Sequence, residues 1–145
     1  MTEGGRLDLK IITPDGQLPP ERTGYVVLPT MQGYIGILPR HISLVTVLKA
    51  GVITYRGREN GEKQRIAVGG GFAEVSENRV TVLADTAERP GEIDVDRARK
   101  ALSRAERRLQ EKPDGLDLVR ARASLERAVA RLRAAGELDD QTEAS

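Results

Sequence analysis

The stretch Arg89-Pro90-Gly91-Glu92-Ile93-Asp94-Val95 decides how this chain is read, because the composition changes there. Before it lie most of the Gly and Thr and every Tyr and Phe, the residues of strands and turns. After it the chain is mostly Ala, Leu, Arg and acids, the residues of helices. A boundary at Pro90 therefore separates a strand-rich domain, residues 1–90, from a helical domain, residues 91–136. The acidic, polar segment 137–145 is expected to be a disordered tail. With 145 residues, one ordinary domain or a small domain with an appendage is the scale to expect.

Working back from the boundary, Leu7-Asp8-Leu9-Lys10-Ile11 alternates apolar and polar as a half-buried strand does. Asp15-Gly16 and Pro19-Pro20 break the chain, and Tyr25-Val26-Val27-Leu28 is a short apolar run ended by Pro29. Tyr34 to Leu38 and Leu44 to Leu48 read as further strands, with a turn at Ala50-Gly51 leading into Val52-Ile53-Thr54-Tyr55. Asn60-Gly61 is a strong hairpin signal. Arg65 to Val68 and Phe72 to Val75 flank Gly69-Gly70-Gly71, and Ser76-Glu77-Asn78 turns the chain into Arg79 to Leu83. Strands this closely spaced predict an antiparallel sandwich or flattened barrel. The glycine run lacks the Gly-Lys-Ser/Thr ending of a phosphate loop and no helix follows it, so it reads as a corner between strands.

Working forward, Val95, Ala98, Leu102, Ala105 and Leu109 recur at intervals of three and four. So do Leu118, Ala121, Leu125, Ala128, Leu132 and Ala135. Each set is the seam of a heptad pattern. Asp94 suits the N-cap of the first helix, Pro113-Asp114-Gly115 the turn, and Gly136 the stop of the second. The short turn makes the helices antiparallel neighbours. The expected class is thus α+β: an antiparallel β-sandwich followed by a two-helix hairpin. A seam that alternates Ala with Leu buries little area per residue. Such a hairpin is marginal alone and should dock on something, in more than one possible place.

Composition closes off several functions. Lys plus Arg is 23 and Asp plus Glu is 22, so a net charge of +1 gives no reason to expect nucleic-acid binding. Aromatics are only 3%, which leaves no stacking platform for single strands. There is no Cys, hence no disulfide, thiolate metal site or cysteine nucleophile, and the single His41 is too little for a histidine metal site. No apolar run is long enough to span a bilayer and no basic-then-apolar leader opens the chain, so a soluble protein that meets a membrane only through a partner is expected.

Four separated motifs carry a resemblance. They are Gly36-Ile37-Leu38-Pro39-Arg40-His41; Leu44 with Lys49-Ala50-Gly51; Gly70-Gly71-Phe72-Ala73-Glu74-Val75; and Val80-Thr81-Val82-Leu83-Ala84-Asp85-Thr86-Ala87. In order and spacing, with the hairpin behind them, they resemble the epsilon subunit of bacterial F-type ATP synthases, over about residues 6 to 136. The resemblance implies a non-catalytic subunit of the central rotor stalk, placed between the gamma subunit and the ring of c subunits. It implies a proton-translocating complex on the cytoplasmic face of a bacterial plasma membrane, with this subunit peripheral. It also implies helices that restrain ATP hydrolysis by reaching the beta subunit.

Residue by residue, the resemblance marks three groups. Ile93-Asp94-Val95-Asp96-Arg97-Ala98 matches the Ile/Leu-Asp-x-x-Arg-Ala motif that binds ATP in some bacterial members, and Glu88, Arg104, Arg127 and Arg131 match as well. Guanidinium forks suit phosphate oxygens, while Glu88 and Asp94 can accept from an amino group or ribose hydroxyls. ATP is then a regulatory ligand, and no cofactor is required. The loop at Met31, Gln32 and Tyr34 corresponds to the contact with the c ring. Many members are acidic there, so here an apolar contact or an ordinary surface turn is expected. His41 is either a hydrogen-bonded structural residue or a partner contact. Arg120, Arg122 and Arg133 belong to a basic second helix that could meet an acidic segment of the beta subunit; the other reading is a solvated face. The alternative to a rotor subunit is a free-standing ATP-sensing module using the same arginines. An enzyme is disfavoured, since the chain has no Gly-x-Ser-x-Gly, metal cluster or placeable acid pair.

Overall fold

The computed structural model describes residues 6–57 and 61–139. Among them nine strands come first: β1 Leu7–Thr13, β2 Gly16–Gln17, β3 Glu21–Thr23, β4 Val26–Thr30, β5 Gly33–Ile37, β6 Leu44–Arg56, β7 Lys63–Ser76, β8 Arg79–Ala84 and β9 Ala87–Glu88. A short 3-10 turn at Pro90–Glu92 leads to α1 Val95–Glu111 and α2 Leu118–Ala134. The strands form one hydrogen-bonded path, β2-β1-β8-β7-β6-β4-β5, with β3 on β1 and β9 on β7. Side chains from both ends of that path share one core: Leu7, Leu9 and Ile11 of β1, Val80 and Val82 of β8, Val26 and Leu28 of β4, Ile37 of β5. The sheet therefore folds over on itself as a sandwich, with an aliphatic filling.

Four features differ from the sequence reading. The pairing of β1 with β8 is parallel, in an otherwise antiparallel sheet. Ala50-Gly51 does not turn the chain; it lies inside the continuous 13-residue β6. Gly69-Gly70-Gly71 lies inside the 14-residue β7. Both glycine sites serve close approach. A Cβ on Gly51 would stand 2.5 Å from Cβ of Pro29, and one on Gly71 would stand 2.0 Å from the Leu83 carbonyl oxygen. Pro29 likewise does not end β4, which runs on to Thr30. It sits where the register with β6 shifts, so its missing N–H costs no ladder bond. The expected Asn60-Gly61 turn lies partly outside the described residues; the strands it would join pair as far as Arg56 opposite Lys63.

The helices form as the heptads require. Asp94 caps α1, its carboxylate accepting from the Arg97 N–H at 3.1 Å, and Asp117 caps α2 by accepting from the Arg120 N–H at 3.1 Å. Beyond α2 the Gly136 N–H donates to the Arg133 carbonyl and the Glu137 N–H to that of Leu132, a Schellman stop. Glu137 then pairs with Arg99 of α1. The rest of the expected tail, from 140 on, lies outside the described residues. The hairpin is docked. α1 packs chiefly on α2, and α2 lies on β6 and β7. The landing site is a small second core of Val52, Ala67, Ile93, Ala130 and Ala134.

Candidate functional site

β9 carries Glu88 to the edge of the landing site, where its partner strand β7 places Ala67 opposite. The Glu88 carboxylate accepts from Arg131 Nε of α2 at 2.6 Å, tying the sandwich to the hairpin. Both side chains are about one third exposed, 30% and 34%. Immediately beyond β9, Glu92 turns back to accept from the Arg89 N–H at 2.8 Å, fixing the 3-10 turn that aims α1. These local bonds shape a cleft of about 420 Å³ lined by Glu88, Glu92, Asp94, Arg97, Arg104 and Arg131, with Ala98 and Ala101 as its floor.

Six of the eight residues marked for ATP thus line one cleft: Glu88, Asp94, Arg97, Ala98, Arg104 and Arg131. Ile93 does not. It is 8% exposed and packs in the docking core with Val52, Ala67, Ala130 and Ala134. Arg127 lines an adjoining hollow instead, one turn along α2 from Arg131. Glu92 and Ala101 were not foreseen as lining; the spacing of Glu92 from Arg89, a capping arrangement, was the available signal.

The electrostatics are mixed and directional. Glu88 is engaged by Arg131, Glu92 by a backbone N–H, and Asp94 by the helix cap. Among the described residues, the side chains of Arg97 and Arg104 have no hydrogen-bond or ion-pair partner. Two free guanidinium forks therefore face a pocket whose carboxylates keep unused lone pairs. That suits a ligand with a phosphate end and a donor-bearing end. Beneath the same edge, burial pushes the Tyr55 phenol above its ordinary value of 10.0, Glu21 adds to the rise, and Arg89 opposes it. Among the described residues no three His, Asp or Glu side chains gather as metal ligands.

The other marked residues sit apart from this cleft. Met31 is 63% exposed at the apex of the β4–β5 turn, and its N–H donates to the Val47 carbonyl. Gln32 is exposed beside it. Tyr34 is half-buried, and its hydroxyl accepts from the Val52 N–H at 3.2 Å, so it holds β5 to β6. His41 is half-buried in the loop before β6, with Nδ1 at 2.7 Å from the Ile42 carbonyl oxygen. Met31 opens a stripe that sequence reasoning missed. Val47 pairs with Phe72, and Phe72 with Leu83, so 47%, 54% and 52% exposed apolar side chains stand in one cross-strand row. On α2, Arg122 and Arg133 share a face and Arg120 lies on the opposite side, by helical spacing. Arg133 Nε donates to the Asp139 carbonyl at 3.1 Å.

No helix among the described residues is long and apolar enough to cross a membrane. Residues 6–90 match the family model of the ATP synthase delta/epsilon chain beta-sandwich domain, and residues 92–136 that of its long alpha-helix domain. An ATP synthase epsilon chain from Moorella thermoacetica is 54% identical over 132 residues, spanning 91% of this chain and 98% of that one. The epsilon chain of Carboxydothermus hydrogenoformans is 51% identical over 133 residues, spanning 92% and 98%. Among solved structures, a chain of the Euglena gracilis mitochondrial ATP synthase OSCP/F1/c-ring assembly aligns with TM-score 0.77 and 27% identity, over 93% of this chain and 84% of that one. A chain of the Tetrahymena thermophila mitochondrial ATP synthase central stalk and c ring shares the fold, with TM-score 0.58 and 15% identity over 92% and 99%. Sandwich, docked hairpin and both domain matches agree: the chain belongs to the ATP synthase delta/epsilon family, among its bacterial F-type epsilon subunits.

Proposed function

We propose that the chain is a rotor-stalk subunit whose sandwich couples the gamma subunit to the c ring and whose hairpin is a two-state brake on ATP hydrolysis. The complex holds it on the cytoplasmic face of the plasma membrane. Docked, the hairpin leaves hydrolysis free. Extended, its second helix, with Arg120, Arg122 and Arg133, reaches an acidic segment of the beta subunit. ATP held between Glu88, Asp94, Arg97, Arg104 and Arg131, with Arg127 beside them, favours the docked state. The apolar row from Met31 through Val47, Phe72 and Leu83 is the kind of surface a rotor neighbour covers.

One observation carries this reading. The cleft is assembled from three separate pieces, β9 of the sandwich, α1 and α2, and it exists only when all three are together. A ligand bridging them binds the docked form and has no equivalent site on the extended one. Only such a difference in affinity can shift a two-state balance. Calorimetric titration of the full chain with ATP, paired with small-angle scattering, tests it. ATP should compact the chain, and Arg131→Ala should raise the dissociation constant by about tenfold or more, since a charge-assisted bond is lost. A dissociation constant that ignores Arg131→Ala would remove the site. Copurification with gamma separates a rotor subunit from a free-standing sensor.

A further inference from the structure

The cleft does not stop at its innermost arginine. Ala101, Arg104 and Arg131 also line a smaller hollow of about 170 Å³, which runs on between the two helices past Arg108, Ser124 and Arg127. The two stretches differ in chemistry. The cleft mixes three carboxylates with its arginines. The hollow has four arginines, three alanines and one serine, and no carboxylate. Arg104 and Arg108 have no side-chain partner among the described residues, and the Arg127 guanidinium donates to Ser124 Oγ at 3.2 Å. Arg108 also lies in the last turn of α1, where a cation suits the helix dipole. That role alone does not call for three more arginines along the same strip.

Of the four, Arg131 is paired with Glu88; among the described residues, Arg104, Arg108 and Arg127 line the hollow without a counter-ion, and like charges so placed repel one another. An anion that lies along the strip relieves this, and its shape is constrained. An α-helix, about 10–12 Å across with its side chains, is far too bulky for a hollow of about 170 Å³. The alanine walls give the side chains of an extended peptide nothing to fill. A chain of phosphates is narrow, carries charge at every unit and presents oxygens that guanidinium forks bind in pairs.

We infer that the hollow is a subsite for phosphate beyond the third of a nucleotide, so that the chain binds linear polyphosphates of four or more units, either free or carrying a nucleoside. Arg108 and Ser124 hold the additional unit. The nucleoside end of this picture rests on the proposed ATP cleft; the polyphosphate end does not.

Calorimetry on the full chain, with and without magnesium, distinguishes the two. The probes are ATP, adenosine 5′-tetraphosphate and inorganic tetrapolyphosphate. The tetraphosphate nucleotide should bind about tenfold more tightly than ATP, the value of one added charge-assisted contact. Arg108→Ala should bring that ratio close to one. Arg108 is exposed and makes no side-chain bond, so its removal leaves the helices intact; circular dichroism verifies this. A wild-type ratio near one, or a ratio indifferent to Arg108→Ala, overturns the inference even if ATP binds well. Conversely, inorganic tetrapolyphosphate that binds through Arg108 while ATP does not bind sustains the subsite and discards the nucleotide cleft.

Discussion

The sandwich and the hairpin are both buried against something, but with different material. The sandwich core is built from large side chains at 0–3% exposure, among them Leu7, Leu9, Leu28, Ile37 and Ile53. The hairpin is held by Ala98, Ala105, Ala121, Ala128, Ala130 and Ala134, with Leu132 as its large fully buried side chain. Burial is worth about 0.8 kcal/mol per methylene-sized group and about 1.5–3 kcal/mol for a whole Leu or Ile. Residue for residue, the hairpin interface is therefore the weaker of the two. Its alanines also present a smooth surface, with few interlocking branches to disengage. The sandwich is held by large interlocking side chains and the docked hairpin by small ones, and those small residues let α2 lie close on β6 and β7.

The sharpest way to break this contrast is to injure each region in turn. Ile53→Ala removes a fully buried branch of the sandwich core and should cost about 2–5 kcal/mol. Calorimetry should show the melting temperature fall by about 10 °C or more. Ala130→Gln forces a larger polar side chain between α2 and Val52–Ala67, at a cost of about 1–3 kcal/mol. Glutamine is a good helix former, so the helix itself persists. The expected outcome is an expanded chain by small-angle scattering with the sandwich melt nearly unmoved. A single shared transition that falls in both variants would mean that the two regions are one cooperative unit.

How much of this was legible in the sequence follows the same division. The heptad seams and the caps at Asp94 and Gly136 were readable because they are local: spacing and one hydrogen-bonding side chain suffice. Gly51 was read as a turn and Gly69–71 as a corner between two strands, but both lie inside continuous strands. Glycine signals both a turn and a close approach, and only the structure shows Pro29 and the Leu83 carbonyl pressed against them. The parallel pairing of β1 with β8 joins segments about 70 residues apart, and no local pattern encodes it. Ala130 and Ala134 lie off the seam, so their landing on Val52 and Ala67 could not be read from periodicity. At the site, the family motif and its companion matches named Glu88, Asp94, Arg97, Arg104 and Arg131, which line one cleft. They did not foretell that Ile93 turns inward, that Tyr34 spends its hydroxyl on Val52, or that Arg108 extends the arginine track, although its four-residue step from Arg104 was there to see.

The smallest effect expected concerns the Glu88–Arg131 ion pair, which joins the two regions. The Glu88–Arg131 pair is partly open to solvent, and pairs of that kind contribute about 1 kcal/mol or less. Its value lies in its salt dependence. Alanine packing does not respond to ionic strength over the range in which a partly exposed pair is screened. In the wild-type chain, added sodium chloride should therefore loosen the hairpin slightly, seen as faster hydrogen exchange of α2 amides, while strands β6 and β7 keep their protection. Glu88→Gln should start from the loosened level and show little further response to salt. If salt instead loosens α2 in Glu88→Gln as much as in the wild type, the pair is not the polar tie between hairpin and sandwich. The remaining arginines of α2 would then have to be searched for another.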